Sequence, residues 1–178
     1  CLAEGRQSVF YIFYDDNQRI YRDRGSIPDY LNLTPVSLQE NVRNTRTIHR
    51  TLASYYTGEN ASLPRGPVGR SIEIHNCATD NDLYKNLSQV LNKLTRIEGI
   101  ACKDIVLLTP KSLKTTSPYH SIVGDFKFNG NLRLVQKVRD PSNEILCSTI
   151  HSFKGLERPI VIVVEIDEFF IENNAVEK

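Results

Sequence analysis

The stretch "STIHSFKGLE" (148–157) sets a His, a Lys, a Gly and a Glu immediately before the apolar run "RPIVIVVEI". His151, Lys154 and Glu157 on the edge of a strand are the kind of set that meets a nucleotide or a nucleic acid. Gly155 among them permits close approach or a positive φ. The plainer alternative is a solvated loop between two strands, the commonest fate of a polar connection. Two further residues invite the same question. Arg43, in "LQENVRNT" (38–45), sits just before an expected helix, where the helix dipole is positive and a cation is badly placed. A bound phosphate would remove that anomaly, and a guanidinium has the geometry for bidentate contact with phosphoryl oxygens. Gln18, in "YDDNQRIYRDRGS" (14–26), is a neutral amide that could donate to phosphate and accept from a neighbour or water, although taken alone a turn glutamine is the commoner case.

The bulk composition narrows what these residues can serve. At 178 residues the chain can bury one good core, or one domain and part of another. Charged residues make up 24%, with a formal net charge of +1, so any nucleic-acid binding must come from local arrangement and not from a strongly basic surface. No apolar run reaches membrane-spanning length and no segment reads as a signal peptide, so no membrane partner is expected. The four cysteines form no CxxC pair and the four histidines lack zinc-ligand spacing. Reduced cytosolic thiols, a cytoplasmic location and no metal site are the expectation. The chain contains no methionine and starts at Cys1, which suggests an excised piece of a longer protein.

The elements that must hold these residues follow from periodicity. "SVFYIFY" (8–14) predicts a strand ending in the turn signal Asp15-Asp16-Asn17. Ile48, Leu52, Ala53 and Tyr56 recur at helical steps, predicting a helix over 44–56 capped by Asn44 or Thr45. Three Gly and two Pro make 57–69 a loop, and "SIEIHNC" (71–77) predicts a short strand. Leu83, Leu87, Val90, Leu91 and Leu94 share one face of a second helix, with Asp80 or Asn81 as its cap and Gly99 just past its end. "DIVLLTP" (104–110) is apolar almost throughout, as expected of a parallel strand covered on both faces. "LRLVQKV", "EILCSTI" and "PIVIVVEI" predict three more strands, after a weakly patterned stretch over 111–131. Alternating strands and helices predict an α/β fold with a mainly parallel sheet flanked by helices. Ligands of such sheets sit at the carboxyl ends of strands, and "STIHSFKGLE" follows the carboxyl end of "EILCSTI".

Taken in order, "YDDNQRIYRDRGS", "LQENVRNT" and "STIHSFKGLE" resemble the third, fourth and fifth motifs of superfamily-one helicases of the UvrD/Rep type. The "DDNQRIYR" wording is most similar to the helicase parts of proteins that also carry a nuclease-related domain. The resemblance spans nearly the whole chain. It implies a RecA-like, P-loop-NTPase-type fold, with residues 1–27 ending the first motor domain and 28–178 forming the second, cut off before the sixth motif. It implies ATP with Mg2+ as cofactor. The phosphate loop and magnesium ligands are expected outside this chain, which has no GxxxxGK[ST] segment and no strand ending in an Asp-Glu pair.

By the same resemblance Gln18 senses the terminal phosphate and Arg43 reaches the γ-phosphate across the cleft. Glu157 accepts from a ribose hydroxyl, with Gly155 and Lys154 beside it on the nucleotide side. Lys154 reads equally as a phosphate contact or as a structural cation at the strand end. Thr149 and His151 face the nucleic acid. Tyr21 matches an aromatic that stacks on a base, although a core tyrosine fits its spacing as well. Asp23 and Val42 depart from the family, which carries aromatics there for strand and adenine stacking. The implied partners are single-stranded or partly duplex nucleic acid, DNA foremost, and the first RecA-like domain of the same parent. The implied function is the C-terminal motor fragment of an ATP-dependent helicase or translocase. The alternative, favoured by Asp23 and Val42, is an ATP-hydrolysing regulatory or protein-interaction module that does not unwind.

Overall fold

The computed structural model describes residues 11–13, 33–34, 36, 38–53, 62–111, 127–128 and 131–166. The chain forms two compact units, 1–74 and 75–178. The boundary expected at 27/28 lies outside the described residues.

In the first unit, β1 (Glu40–Asn41) pairs in parallel with β2 (Leu63–Pro64), Glu40 opposite Leu63 and Asn41 opposite Pro64. The loop expected over 57–69 therefore contains a short strand. Proline is tolerated there because this ladder is only two residues long and needs little donation from β2. Helix α1 (Arg46–Ala53) follows, and Thr45 caps it by accepting from the Ile48 N–H at 3.3 Å. No residue of α1 is buried, and its apolar pair Ile48 and Leu52 remains 40% and 53% exposed. Of the first expected strand only 11–13 is described, and those residues are irregular and exposed. Residues 71–77 are also irregular and exposed, against the predicted strand. Alternation alone does not make a strand without a ladder partner, and none is present among the described residues.

The second unit is α/β. Helix α2 (Asp80–Asn92) is capped by Thr79, one residue earlier than the sequence suggested. The Thr79 hydroxyl accepts from the Asp82 N–H at 3.2 Å, and the Asp82 carboxylate accepts from the Thr79 N–H at 3.1 Å. This reciprocal box satisfies two helix-end donors at once, so it outcompetes either acid as a lone cap. The helix passes into a π-turn (Lys93–Ile97), where the Thr95 hydroxyl bonds the Leu91 carbonyl at 2.7 Å. Gly99, at φ +69°, ends it as expected.

The sheet follows: β3 (Ile105–Thr109), β4 (Lys127–Phe128), β5 (Leu132–Val135), β6 (Glu144–Thr149) and β7 (Ile160–Val163). Their order is β4-β5-β6-β3-β7, and every pairing is parallel except β4 with β5. All five residues of β3 are buried, as its continuous apolar run requires of a central parallel strand. Its side chains alternate between two cores. Ile105 and Leu107 meet Leu87, Leu91 and Leu94 beneath α2, together with Leu134, Ile145 and Cys147. Val106 and Leu108 meet Phe153 and Leu146 on the other face. Among the described residues, ten buried apolar residues lie on the α2 side and three on the other. At about 1.5–3 kcal/mol for each large apolar side chain removed from water, the α2 face contributes the larger share of the burial they provide.

Between β5 and β6 only residues 136–143 make the parallel return, fewer than the dozen usual for a crossover. Carboxylates hold this tight connection. Asp140 accepts from the Ser142 N–H at 3.0 Å and from the Asn143 amide at 2.9 Å. Glu144 accepts from the N–H groups of Arg139 at 2.6 Å and Asp140 at 2.8 Å. The Asn143 side chain, then the Ser142 N–H, draws the Asp140 carboxyl below its ordinary range, and the Asp140 and Arg139 N–H groups do the same for Glu144. Because both folded values are depressed, this stabilisation is complete above the ordinary carboxylate range of about 4. It is lost as pH falls through the folded values. Melting temperature should therefore drop on acidification below about pH 4. A paired Asp140→Asn, Glu144→Gln variant should melt lower at pH 7 and show a shallower acid decline. Parallel pH curves for the two proteins would refute this role.

Candidate functional site

Gln18 and Tyr21 lie outside the described residues, as does Asp23. Arg43 belongs to the first unit. Thr149, His151, Lys154, Gly155 and Glu157 lie together on one segment of the second.

That segment leaves β6 at its carboxyl end, where the sequence placed it. Thr149, the last residue of β6, lies opposite Thr109, the last residue of β3. Its hydroxyl accepts from the Ser152 N–H at 3.1 Å and caps the short helix α3 (Ile150–Phe153). The same hydroxyl lies 2.9 Å from the Ser152 hydroxyl. In such a pair one proton is used internally and one stays available to an outside acceptor. Ser152 is thus a member of the site that sequence reasoning missed, although the Thr-x-x-Ser spacing is a cap signal. Phe153 points into the core and anchors α3, while His151 and Ser152 stay exposed.

Beyond α3 the chain turns sharply. The Leu156 N–H donates to the Phe153 carbonyl at 3.0 Å, and Gly155 takes φ +85°. A Cβ at Gly155 would meet nothing within 4 Å, so glycine is needed for its backbone angle and not for space. Lys154 and Glu157 flank this turn and are both exposed, and the Arg158 guanidinium holds the Glu157 carbonyl at 2.9 Å. The segment is a capped, glycine-bent run that presents imidazole, hydroxyl, ammonium and carboxylate to solvent at the carboxyl end of a parallel strand.

Next to it the same edge holds a polar cluster absent from the sequence reading. Fully buried Thr109 donates through its hydroxyl to Glu165 and accepts from the Lys111 N–H at 3.1 Å. The Glu165 side chain is 2% exposed, and the Lys111 ammonium stands 3.9 Å from its other oxygen. Glu165 also takes φ +62°, a left-handed conformation that non-glycine residues adopt seldom. Burial, and then the Glu165 carboxylate, pushes the Cys147 thiol up to about 12, which keeps it protonated and unreactive. A single acid at the end of the apolar run 160–166 was the available signal. Its partner, fifty-six residues away, was not.

In the first unit, the Asn41 side chain accepts from the Asn44 N–H at 3.1 Å and reverses the chain between β1 and α1. Val42 and Arg43 occupy the outside of this reversal and are exposed. The loop 65–69 packs against the reversal from the other side. Gly66 is buried there, and a Cβ on it would stand 2.0 Å from the Asn44 carbonyl oxygen.

Among the described residues no group of three or more His, Cys, Asp or Glu is placed to hold a metal ion, and no helix is long and apolar enough to cross a membrane. No family model, curated protein or solved structure matches the chain.

Proposed function

We propose that this chain is the second RecA-like motor domain of an ATP-dependent nucleic-acid helicase or translocase, preceded over 1–27 by the end of the first. The observation that carries this reading is the placement of Thr149–Glu157 at the carboxyl end of a parallel strand, with its polar groups exposed. The three-motif resemblance supplies the rest. Arg43 meets the transferring phosphoryl group, Gln18 senses it, and Glu157 with Lys154 and Gly155 takes the nucleotide side. Tyr21, Thr149 and His151 take the strand side, with Ser152 supplying or sharing the hydroxyl donor. ATP, when bound, would supply the γ-phosphoryl group that is transferred to water. On this reading the ligands of the magnesium ion belong to the first motor domain.

On this reading the isolated chain releases no phosphate from ATP, with or without single-stranded DNA. It binds a labelled oligonucleotide weakly and with strong salt dependence, since a net charge of +1 gives little long-range attraction. If Lys154 contacts phosphate, Lys154→Ala should lower the slope of log affinity against log salt by about one. Titrations at low and moderate salt check this. Tight, salt-insensitive binding, or turnover above background, would sink the assignment.

A further inference from the structure

We infer that loop 65–69 is a positioning collar for Arg43, with Gly66 and Gly69 its essential members. This rests on the reading of Arg43 as the group that meets the phosphoryl. The loop grips both chain ends that carry Arg43. On the strand side, the Asn41 carbonyl accepts from the N–H groups of Arg65 at 2.9 Å and Gly66 at 3.2 Å. On the helix side, three loop carbonyls receive donors from the start of α1. The Arg46 guanidinium reaches Gly66 at 2.9 Å, the Arg46 N–H reaches Pro67 at 2.9 Å, and the Thr47 hydroxyl reaches Gly69 at 3.0 Å.

Side chains would not fit in this approach. A Cβ on Gly66 would fall 2.0 Å from the Asn44 oxygen, a backbone atom that cannot swing away. On Gly69 it would fall 2.3 Å from the Thr45 hydroxyl, which caps α1. Neither glycine has a positive φ, so space alone demands them.

The collar does little apolar work. Val68 at its centre is 78% exposed, Leu63 before it is 51% exposed, and α1 buries no residue. A loop kept for stability alone would cover apolar surface. This one instead directs its polar bonds to Glu40, Asn41, Arg46 and Thr47 and leaves Val42 and Arg43 exposed between the strand and helix anchors. A group that stabilises a transition state needs such a frame, because a displacement of about 1 Å costs on the order of a hundredfold in rate.

A double-mutant cycle in the full parent protein tests the collar. Gly66→Ala and Gly69→Ala should each lower kcat by about ten- to a hundredfold while KM for ATP moves less than about threefold. Added to Arg43→Ala, either should cost almost nothing more, because the group being positioned is already gone. If a glycine variant folds poorly, Thr47→Val, which removes one hydroxyl from the collar, decides by the same cycle. A large loss in Arg43→Ala combined with multiplicative losses in the double variants would overturn the collar and leave the motor reading standing. Normal turnover in Arg43→Ala would overturn both.

Discussion

Arg43→Ala in the full parent protein is expected to cut ATP turnover by on the order of a thousandfold or more, with a much smaller change in nucleotide affinity. On the motor reading the guanidinium would meet the phosphoryl oxygens most strongly as charge builds on them, so its loss would fall on the transition state and not on the ground state. Glu157→Ala should behave in the opposite way. A hydrogen bond from ribose to Glu157 would exist before and during the reaction, so its removal should weaken nucleotide binding by about 1–3 kcal/mol and leave turnover at saturating ATP near normal. Both side chains are exposed, Arg43 on a chain reversal and Glu157 beyond a glycine turn. Neither side chain belongs to the packed core, so each variant should stay folded. Steady-state kinetics with melting temperatures as the folding control separate the two. Equal, near-normal kinetic values in both variants would mean that they are ordinary surface residues.

What the sequence disclosed depended on whether the signal was local. β3 was readable because a central parallel strand must be apolar on both faces, and its five buried residues are consecutive. The α2 face was readable because Leu87, Leu91 and Leu94 repeat at helical spacing and pack together. The strand predicted over 71–77 failed because Ile72 and Ile74 alternate correctly yet have no ladder to join among the described residues. A strand is a property of two segments, and only one of them is visible in a local window. β2 was hidden for the converse reason. Leu63–Pro64 looks like loop, and it is strand only because the Asn41 backbone is there to pair with it. The cap of α2 was displaced because Thr79, Asp80 and Asn81 are all good caps, and Asp82 three residues after Thr79 decides among them.

The candidate site divides in the same way. The glycine and the charged residues of 148–157 mark a candidate site by type, and their place after a strand was legible as well. The requirement for Gly66 and Gly69 does not show locally, since it arises from Asn44 and Thr45 approaching from some twenty residues away. Glu165 is conspicuous as an acid closing an apolar run, but only the fold brings Thr109 and Lys111 to it.

Phe153→Ala carries the largest expected effect on stability, and it tests how the site is built. Phe153 is the one buried residue of the segment 150–158, at 7% exposure. α3 has only four residues, far too few to hold helical form without tertiary support. Its position therefore depends on the contact of Phe153 with Val106, Leu108 and Leu146. Truncating a buried Phe to Ala costs about 3–5 kcal/mol, and a cluster this small and near the surface places the loss at the lower end, about 3 kcal/mol. The ten-residue core beneath α2 is untouched, so the far-UV circular dichroism and the denaturant m-value should stay native. Phe153→Leu keeps much of the apolar volume and should recover most of the stability. Oligonucleotide binding, measured where Phe153→Ala is still folded, should weaken because Thr149, His151 and Ser152 lose their fixed frame. A cost below about 1 kcal/mol would mean that α3 is not anchored by this ring. The expected loss of about 3 kcal/mol with undiminished strand binding by the folded variant would mean that the segment is not the strand-side surface, and that the nucleic-acid assignment of Thr149 and His151 must be given up.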